Sequence, residues 1–219
     1  MFNVAIDGPS AAGKSTISKI IANKYNLVKL DTGAMYRIVA LLVSRNNLDV
    51  NSEEAVLSVF DNMDLEVMAN GDMILNGALI RDEIRNDEIS MLASTASKHE
   101  LVRARLVKLQ QDIAKAGGYL LEGRDIGTVV LKDAEVKIYL EADSEVRAQR
   151  RYDEYIANNL DVAFADIKQD IEKRDYQDKN REHSPLRQAD DAVLIDVSHL
   201  SIDEVVDAIS AVIDSKVVV

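Results

Sequence analysis

Short apolar runs alternate with longer segments of helical periodicity along most of the chain. The runs are flanked by turn-forming or charged residues, as is typical of buried strands, and they lie at 2–6, 27–30, 119–121, 136–140 and 192–195. Between them, apolar residues recur every three or four positions and predict helices around 17–25, 35–43, 100–116, 147–160, 162–179 and 202–213. Strand–helix alternation of this kind predicts an α/β fold, with helices flanking a parallel sheet.

The segment 51–96 interrupts this alternation. Residues 64–68 and 73–75 predict two strands around the turn Asn70-Gly71-Asp72, and Asn76-Gly77 predicts a second turn with a third strand after it. Short helices are predicted on either side, at 52–60 and 84–93. Because hairpins do not belong inside a parallel series, we interpret 51–96 as a small subdomain inserted into a main domain of residues 1–50 and 97–219.

A glycine-rich loop joins the first predicted strand to the first predicted helix. Its sequence, Gly8-Pro9-Ser10-Ala11-Ala12-Gly13-Lys14-Ser15 followed by Thr16, fits the phosphate-binding pattern G-x-x-x-x-G-K-[ST]. The glycines let backbone N–H groups turn toward a phosphate, and the helix N-terminus adds its positive dipole end. Lys14 is expected to reach the β- and γ-phosphates of a nucleotide, and Ser15 is expected to ligate Mg²⁺.

Charged residues stand at the ends of two further predicted strands. Asp31-Thr32-Gly33 leads from the second strand into a helix with Tyr36 and Arg37 near its start, and residues 122–128 follow the strand at 119–121. Ligands of α/β sheets bind at the carboxyl ends of strands, so both segments are candidate site segments. The structural alternatives are a solvated helix residue at Arg37 and a charged surface turn at 122–128.

Two later helices carry arginines at spacings that place them on one face. They are Arg147, Arg150 and Arg151 on the first helix, and Arg174 with Asp178 on the second. Arg181 shares the face of Arg174 and Asp178 if the second helix extends beyond 179. An anion-binding site would explain both sets. Solvated charge is the commoner explanation for a charge run such as the first set, and an intrahelical ion pair between Arg174 and Asp178 would explain the second without any function.

Composition narrows the function classes. The chain has 26 basic and 38 acidic residues, giving a net charge of −12, so a general nucleic-acid-binding surface is not expected. It has no cysteine, which excludes disulfides and thiol chemistry, and its three histidines are scattered without metal-site spacing. No apolar run approaches the ~20 residues of a membrane span, and no signal-peptide pattern precedes the first strand. We therefore expect a cytoplasmic protein that binds neither membrane nor nucleic acid.

Taken together, these motifs resemble those of the bacterial cytidylate kinases, a family of P-loop nucleoside monophosphate kinases. The resemblance covers nearly the whole chain in order and is carried by residues 6–15, 30–37, 122–130 and 174–181. The loop alone indicates only nucleotide binding, whereas the second and third segments together are specific to the family. The family often has serine at position 32 and aspartate at position 122, and Thr32 and Glu122 keep those functional groups.

The resemblance implies a fold and an activity. The fold would be a P-loop NTPase-type sheet with an inserted nucleoside-monophosphate-binding subdomain at 51–96 and a helical lid at about 147–162. The activity would be direct in-line transfer of the γ-phosphoryl group of ATP to CMP or dCMP with Mg²⁺, giving CDP or dCDP and ADP. The family also implies a monomer.

The resemblance further implies roles for individual residues. ATP would bind residues 8–16, with Ser15 on the metal. The catalytic residues would be Lys14, Arg124 and the lid arginines Arg147, Arg150 and Arg151. The α-phosphate of CMP would bind Thr32, Arg37 and Arg124, with Arg181 nearby; its base would bind Ser94, Arg103 and Asp125; and its sugar and phosphate would contact Arg174 and Asp178. Tyr36 belongs to the same CMP-binding set.

Three alternatives stay open at this point. The acceptor could be UMP, AMP or a small-molecule alcohol. The protein could be a regulatory GTPase, although the sequence lacks the Asn-Lys-x-Asp guanine signature and a switch has no use for an arginine-rich acceptor side. It could also be a nucleotide sensor that binds without turnover.

Overall fold

A five-stranded parallel sheet forms the centre of the protein in a computed structural model that describes residues 1–217. Its strands are β1 (Val4–Asp7), β2 (Val28–Asp31), β6 (Tyr119–Gly123), β7 (Val136–Glu141) and β8 (Val193–Asp196). Their order across the sheet is β2-β6-β1-β7-β8, and every pairing is parallel. The sheet confirms the α/β fold predicted from the alternating pattern.

Helices cover both faces of this sheet. They are α1 (Lys14–Lys24), α2 (Thr32–Arg45), α3 (Glu53–Leu57), α4 (Asp87–Ala96), α5 (Glu100–Ala114), α6 (Ser144–Ala157), α7 (Phe164–Asn180) and α8 (Ile202–Lys216). One apolar cluster packs α2, α4 and α5 against β2 and β6, and a second packs α1 and α8 against β1 and β7. Burial on both faces explains why the strands are nearly continuous apolar runs.

Residues 65–80 form a separate three-stranded antiparallel sheet. Its strands are β3 (Leu65–Val67), β4 (Met73–Leu75) and β5 (Ala78–Ile80), joined in that order as the two turn signals predict. Gly71 and Gly77 have φ angles of +83° and +80°, which glycine adopts without strain. The inner faces of this sheet join the apolar cluster of α2, so 51–96 shares its core with one side of the main sheet.

Two local features differ from the predicted elements. Residues Ile126–Val130, for which no helix was predicted, form one turn of π-helix after β6. Helix α7 ends at Asn180, so Arg181 leaves the helix with an extended backbone and does not continue the face of Arg174 and Asp178. Within residues 1–217, no helix is both long and apolar enough to cross a membrane.

Candidate functional site

The phosphate-binding loop lies between β1 and α1 at the carboxyl edge of the sheet. Gly8 passes so close to β7 that a Cβ atom there would lie 2.3 Å from the Leu140 carbonyl oxygen. Gly13, with φ +86°, precedes α1, and no side chain of the described residues caps this helix. The first N–H groups of α1 are therefore available to bind an anion. Lys14 is buried, and its ammonium donates to the carbonyl oxygens of Gly8 at 2.7 Å and Pro9 at 2.6 Å. Burial and the nearby Arg124 lower its pKa well below the usual lysine value.

The predicted acceptor-phosphate residues come from β2, α2 and β6. Arg37 donates to Asp31 Oδ2 at 2.9 Å, and Arg124 donates to Asp178 Oδ2 at 2.8 Å. Thr32 donates its hydroxyl hydrogen to the Glu122 carbonyl oxygen at 2.7 Å. The cations therefore reach the site already paired with carboxylates, so an incoming phosphate has to replace those partners.

A buried ion pair occupies the predicted base-binding position. Arg103 Nη1 donates to Asp125 Oδ2 at 2.7 Å, and Arg181 Nη2 lies 3.6 Å from the other carboxylate oxygen. Arg103 also lies over the Tyr36 ring, 5.2 Å from its centroid, and burial raises the pKa of Tyr36 to about 12. Ser94, on α4, lines the same cleft. The structure thus brings all five residues to one cleft.

Of the five arginines that the resemblance assigns to CMP, Arg174 is the one without a carboxylate partner among residues 1–217. Among residues 1–217, no acidic group lies within ion-pair distance of its guanidinium, because Asp178 pairs with Arg124 and Arg181 instead. The intrahelical Arg174–Asp178 pair considered above is therefore not formed. Burial and the neighbouring guanidinium groups, chiefly that of Arg124, lower the pKa of Arg174 to about 10. A half-buried cation held among other cations is typical of an anion-binding site.

The three arginines of α6 have three different environments, although their spacing predicts a common face. Arg147 is buried away from the cleft, where it donates to the Ser10 carbonyl oxygen at 3.1 Å and to Asp175 Oδ2 at 2.5 Å. Arg150 donates to the Val197 carbonyl oxygen at 2.6 Å. Arg151 packs on the ring of Tyr155 and donates to its hydroxyl. Only Arg150 and Arg151 line the cleft.

Sequence reasoning missed three residues that hold these groups in place. Asp7 ends β1 and accepts from the backbone N–H groups of Ile126 and Gly127, both at 2.8 Å, so it fixes the π-helical turn after Asp125. Burial raises the pKa of Asp7 to about 6. Asp175 holds Arg147, and Lys29 pairs with Glu122. The position of Asp7 at the carboxyl end of a buried strand could have indicated a role in the site. The Asp175–Arg147 and Lys29–Glu122 pairs join segments far apart in sequence, so sequence spacing gave no signal for them.

All of these groups, apart from Arg147 and the three supporting residues, open onto one cleft of about 1120 Å³. Nine basic and six acidic side chains line it, so the cleft is locally positive in a chain of net charge −12. The basic residues are Lys14, Arg37, Arg85, Arg103, Arg124, Arg150, Arg151, Arg174 and Arg181. Such a concentration of cations suits polyphosphate ligands. In the described part of the chain, no three acidic or histidine side chains cluster as a metal cage.

Solved structures share this fold at low sequence identity. A protein from Eubacterium ventriosum ATCC 27560 superposes with a TM-score of 0.55 at 14% identity, over 98% of each chain. The shikimate kinase of Bacteroides thetaiotaomicron superposes with a TM-score of 0.51 at 11% identity, over 97% of this chain and 98% of that one. At these identities the similarity establishes the architecture alone.

Sequence comparison is more specific. Residues 4–215 match the family model described as cytidylate kinase. The chain is 44% identical to the cytidylate kinase of Bacillus subtilis (strain 168) over 217 residues, which cover 98% of this chain and 97% of that protein. It is 46% identical to the cytidylate kinase of Thermosipho melanesiensis over 213 residues, which cover 97% of each. Since the match extends over nearly the whole length at this identity, the chain belongs to the cytidylate kinase family.

Proposed function

We propose that this protein transfers the γ-phosphoryl group of ATP to CMP or dCMP by direct in-line transfer, giving CDP or dCDP and ADP. The observation that carries the proposal is the meeting of the four family segments in one cleft whose cations outnumber its carboxylates. Phosphoryl transfer needs charge neutralisation and alignment more than covalent help from the protein. The two anionic substrates repel each other, and the arginines of the cleft reduce that repulsion.

ATP is assigned to residues 8–16. Backbone N–H groups of the loop and of the first turn of α1 would surround its phosphates, and Lys14 would exchange its carbonyl partners for phosphate oxygens. The side-chain oxygens of Ser15 and Glu122 both contact the Lys29 ammonium and are hard ligand atoms. This pair of ligands fits a Mg²⁺ ion that is bound mainly by nucleotide phosphates and water. When bound, Mg²⁺ neutralises charge on the phosphates.

CMP is assigned to the opposite side of the cleft. Arg174, which has no carboxylate partner among residues 1–217, supports an anion site that Arg37 and Arg124 complete. Thr32, Asp178 and Arg181 lie around this site. Arg103 and Asp125 would read the base with Ser94 and Tyr36. A carboxylate at Asp125 accepts from the exocyclic amine of cytosine, whereas uracil presents an acceptor at the same position.

Two peripheral segments would close over the substrates. In this proposal 51–96 is the acceptor-binding insert and 147–162 is the lid, so that closure excludes water from the transferred phosphoryl group. Arg150 and Arg151, which line the cleft, would supply the lid charges. The catalytic role first assigned to Arg147 becomes a positioning role, because its guanidinium donates to the loop carbonyl of Ser10. A monomeric state and a cytoplasmic location remain predictions of this assignment.

The direct test is an ATP-consumption assay with CMP, dCMP, UMP, AMP and GMP as acceptors. Turnover with CMP and dCMP well above the other acceptors is expected, and a folded Lys14→Ala variant should lose most of it. A preference for UMP or AMP would reassign the acceptor, and binding without turnover would favour a sensor. Near-normal activity of folded Lys14→Ala would contradict the P-loop kinase mechanism.

A further inference from the structure

Lys29 places a positive charge between the phosphate-binding loop and the end of β6. It lies on the same face of β2 as Asp31, because side chains two residues apart on a strand point the same way. Its ammonium donates to Ser15 Oγ at 2.7 Å and to the Ser15 carbonyl oxygen at 3.1 Å, and it lies 2.9 Å from Glu122 Oε1. Three oxygens from two elements thus surround one cation.

The two side chains that Lys29 joins are those that the proposed function offers to Mg²⁺. Glu122 is 4% exposed, and a carboxylate at that depth is strongly unfavourable without a positive partner. Lys29 supplies that partner at 2.9 Å. A divalent cation at the same oxygens would repel the ammonium at short range, so both cannot share these contacts favourably.

We propose that the Lys29 ammonium is a resident cation at the Mg²⁺ position, and that Mg²⁺ displaces it from Ser15 and Glu122 when ATP binds. This inference rests on the proposed kinase function. Lysine is suited to such an exchange because its charge is carried on a flexible four-carbon stem, and the Lys29 side chain is 20% exposed, leaving a route to solvent. Lys29 therefore lowers the gain in ATP affinity that Mg²⁺ provides.

The test measures the binding of a non-hydrolysable ATP analogue by calorimetry, with saturating Mg²⁺ and with EDTA. The ratio of the two dissociation constants gives a coupling factor between metal and nucleotide. Because Mg²⁺ has the same affinity for the free analogue in every titration, differences between variants report the protein alone. Lys29→Met should raise the coupling factor about tenfold, the change expected from the loss of one competing charge-assisted hydrogen bond.

Three further variants separate competition from a structural role. Lys29→Gln keeps a hydrogen-bond donor without the charge and should also raise the coupling factor, which keeps the test usable if Lys29→Met folds poorly. Lys29→Arg keeps the charge and should stay near wild type. Lys19→Met removes an exposed charge from α1 and should have no effect. The inference would be overturned if folded Lys29→Met and folded Lys29→Gln had the same coupling factor as the wild type. Failure of the wild type to bind the analogue would instead overturn the proposed function itself.

Discussion

Arg174 offers a prediction in which stability and function change in opposite directions. Its half-buried charge lies near the guanidinium groups of Arg124, Arg151 and Arg37. Desolvation, with repulsion from these groups, lowers the pKa of Arg174 to about 10. Relative to an ordinary arginine, this corresponds to about 3 kcal/mol of unfavourable free energy for the charged form, at ~1.4 kcal/mol per pH unit. Arg174→Met removes that charge and keeps much of the apolar stem.

The sign and the pH range of this effect follow from linkage. The lowered pKa means that the folded protein binds the Arg174 proton less tightly than the unfolded chain does, so the charge destabilises the fold at every pH below about 10. The penalty is therefore present in full at neutral pH. After allowance for solvent screening and lost packing, Arg174→Met should stabilise the nucleotide-free protein by about 1–2 kcal/mol. That gain corresponds to a rise of about 2–8 °C in the melting temperature of a domain of this size.

The assay combines urea unfolding at pH 7 with steady-state kinetics. Arg174→Met should be more stable than wild type, while its KM for CMP should rise about 10- to 100-fold through loss of a charge-assisted hydrogen bond. Arg105→Met, which removes an exposed arginine from α5 outside the cleft, should change neither quantity appreciably. A variant that is less stable than wild type and still binds CMP normally would refute the reasoning, because Arg174 would then be a structural residue.

Three other perturbations test separate parts of the site. Asp125→Asn keeps an acceptor for Arg103 but would weaken the proposed contact to the cytosine amine. The ratio of kcat/KM for CMP over UMP, expected on the order of 100-fold in wild type, should therefore narrow about tenfold, whereas an unchanged ratio with reduced activity would assign Asp125 to phosphate or metal. The pKa of Asp7 is raised to about 6. As pH falls from 6 to 4, the unfolding free energy of the wild type should therefore rise by up to about 3 kcal/mol relative to that of Asp7→Asn, and parallel pH–stability curves would contradict this. Tyr155 donates to Asp87 at 3.2 Å and joins α6 to α4, so Tyr155→Phe should speed hydrogen exchange in both helices a few-fold. A bisubstrate analogue should slow exchange in 51–96 and 147–160, and exchange profiles unchanged by the analogue would argue against closure.

The sequence predicts the elements that local chemistry determines. The turn signals around Gly71 and Gly77 correctly indicated three antiparallel strands, because positive φ angles at those positions favour glycine strongly. The phosphate-binding pattern likewise located a loop whose geometry depends on residues adjacent in sequence. Such features need no information about distant partners.

Partner choice between distant segments was not predictable from spacing. Asp178 is four residues from Arg174 on α7, yet it pairs with Arg124, which is 54 positions away. Arg147 has the spacing of a lid arginine, but the position of α6 against the loop turns it toward Ser10. Helical periodicity reports which residues share a face, and only the packing of elements determines what that face meets.

The pairing of cations with carboxylates in this cleft has a consequence for how substrate binding is coupled to closure. Arg37 and Arg124 already donate to Asp31 and Asp178, so a phosphate gains only the difference between its own contacts and those it replaces. Within the described part of the chain Arg174 has no such carboxylate to give up, and relief of the repulsion from neighbouring guanidinium groups adds to its affinity for an anion. Phosphate binding should therefore begin at Arg174, and release of Asp178 from Arg124 should then accompany movement of α7. Substitution of Arg174 should therefore reduce the affinity for CMP more than the affinity for ATP. Substitution of Lys14 should reduce the affinity for ATP more than the affinity for CMP.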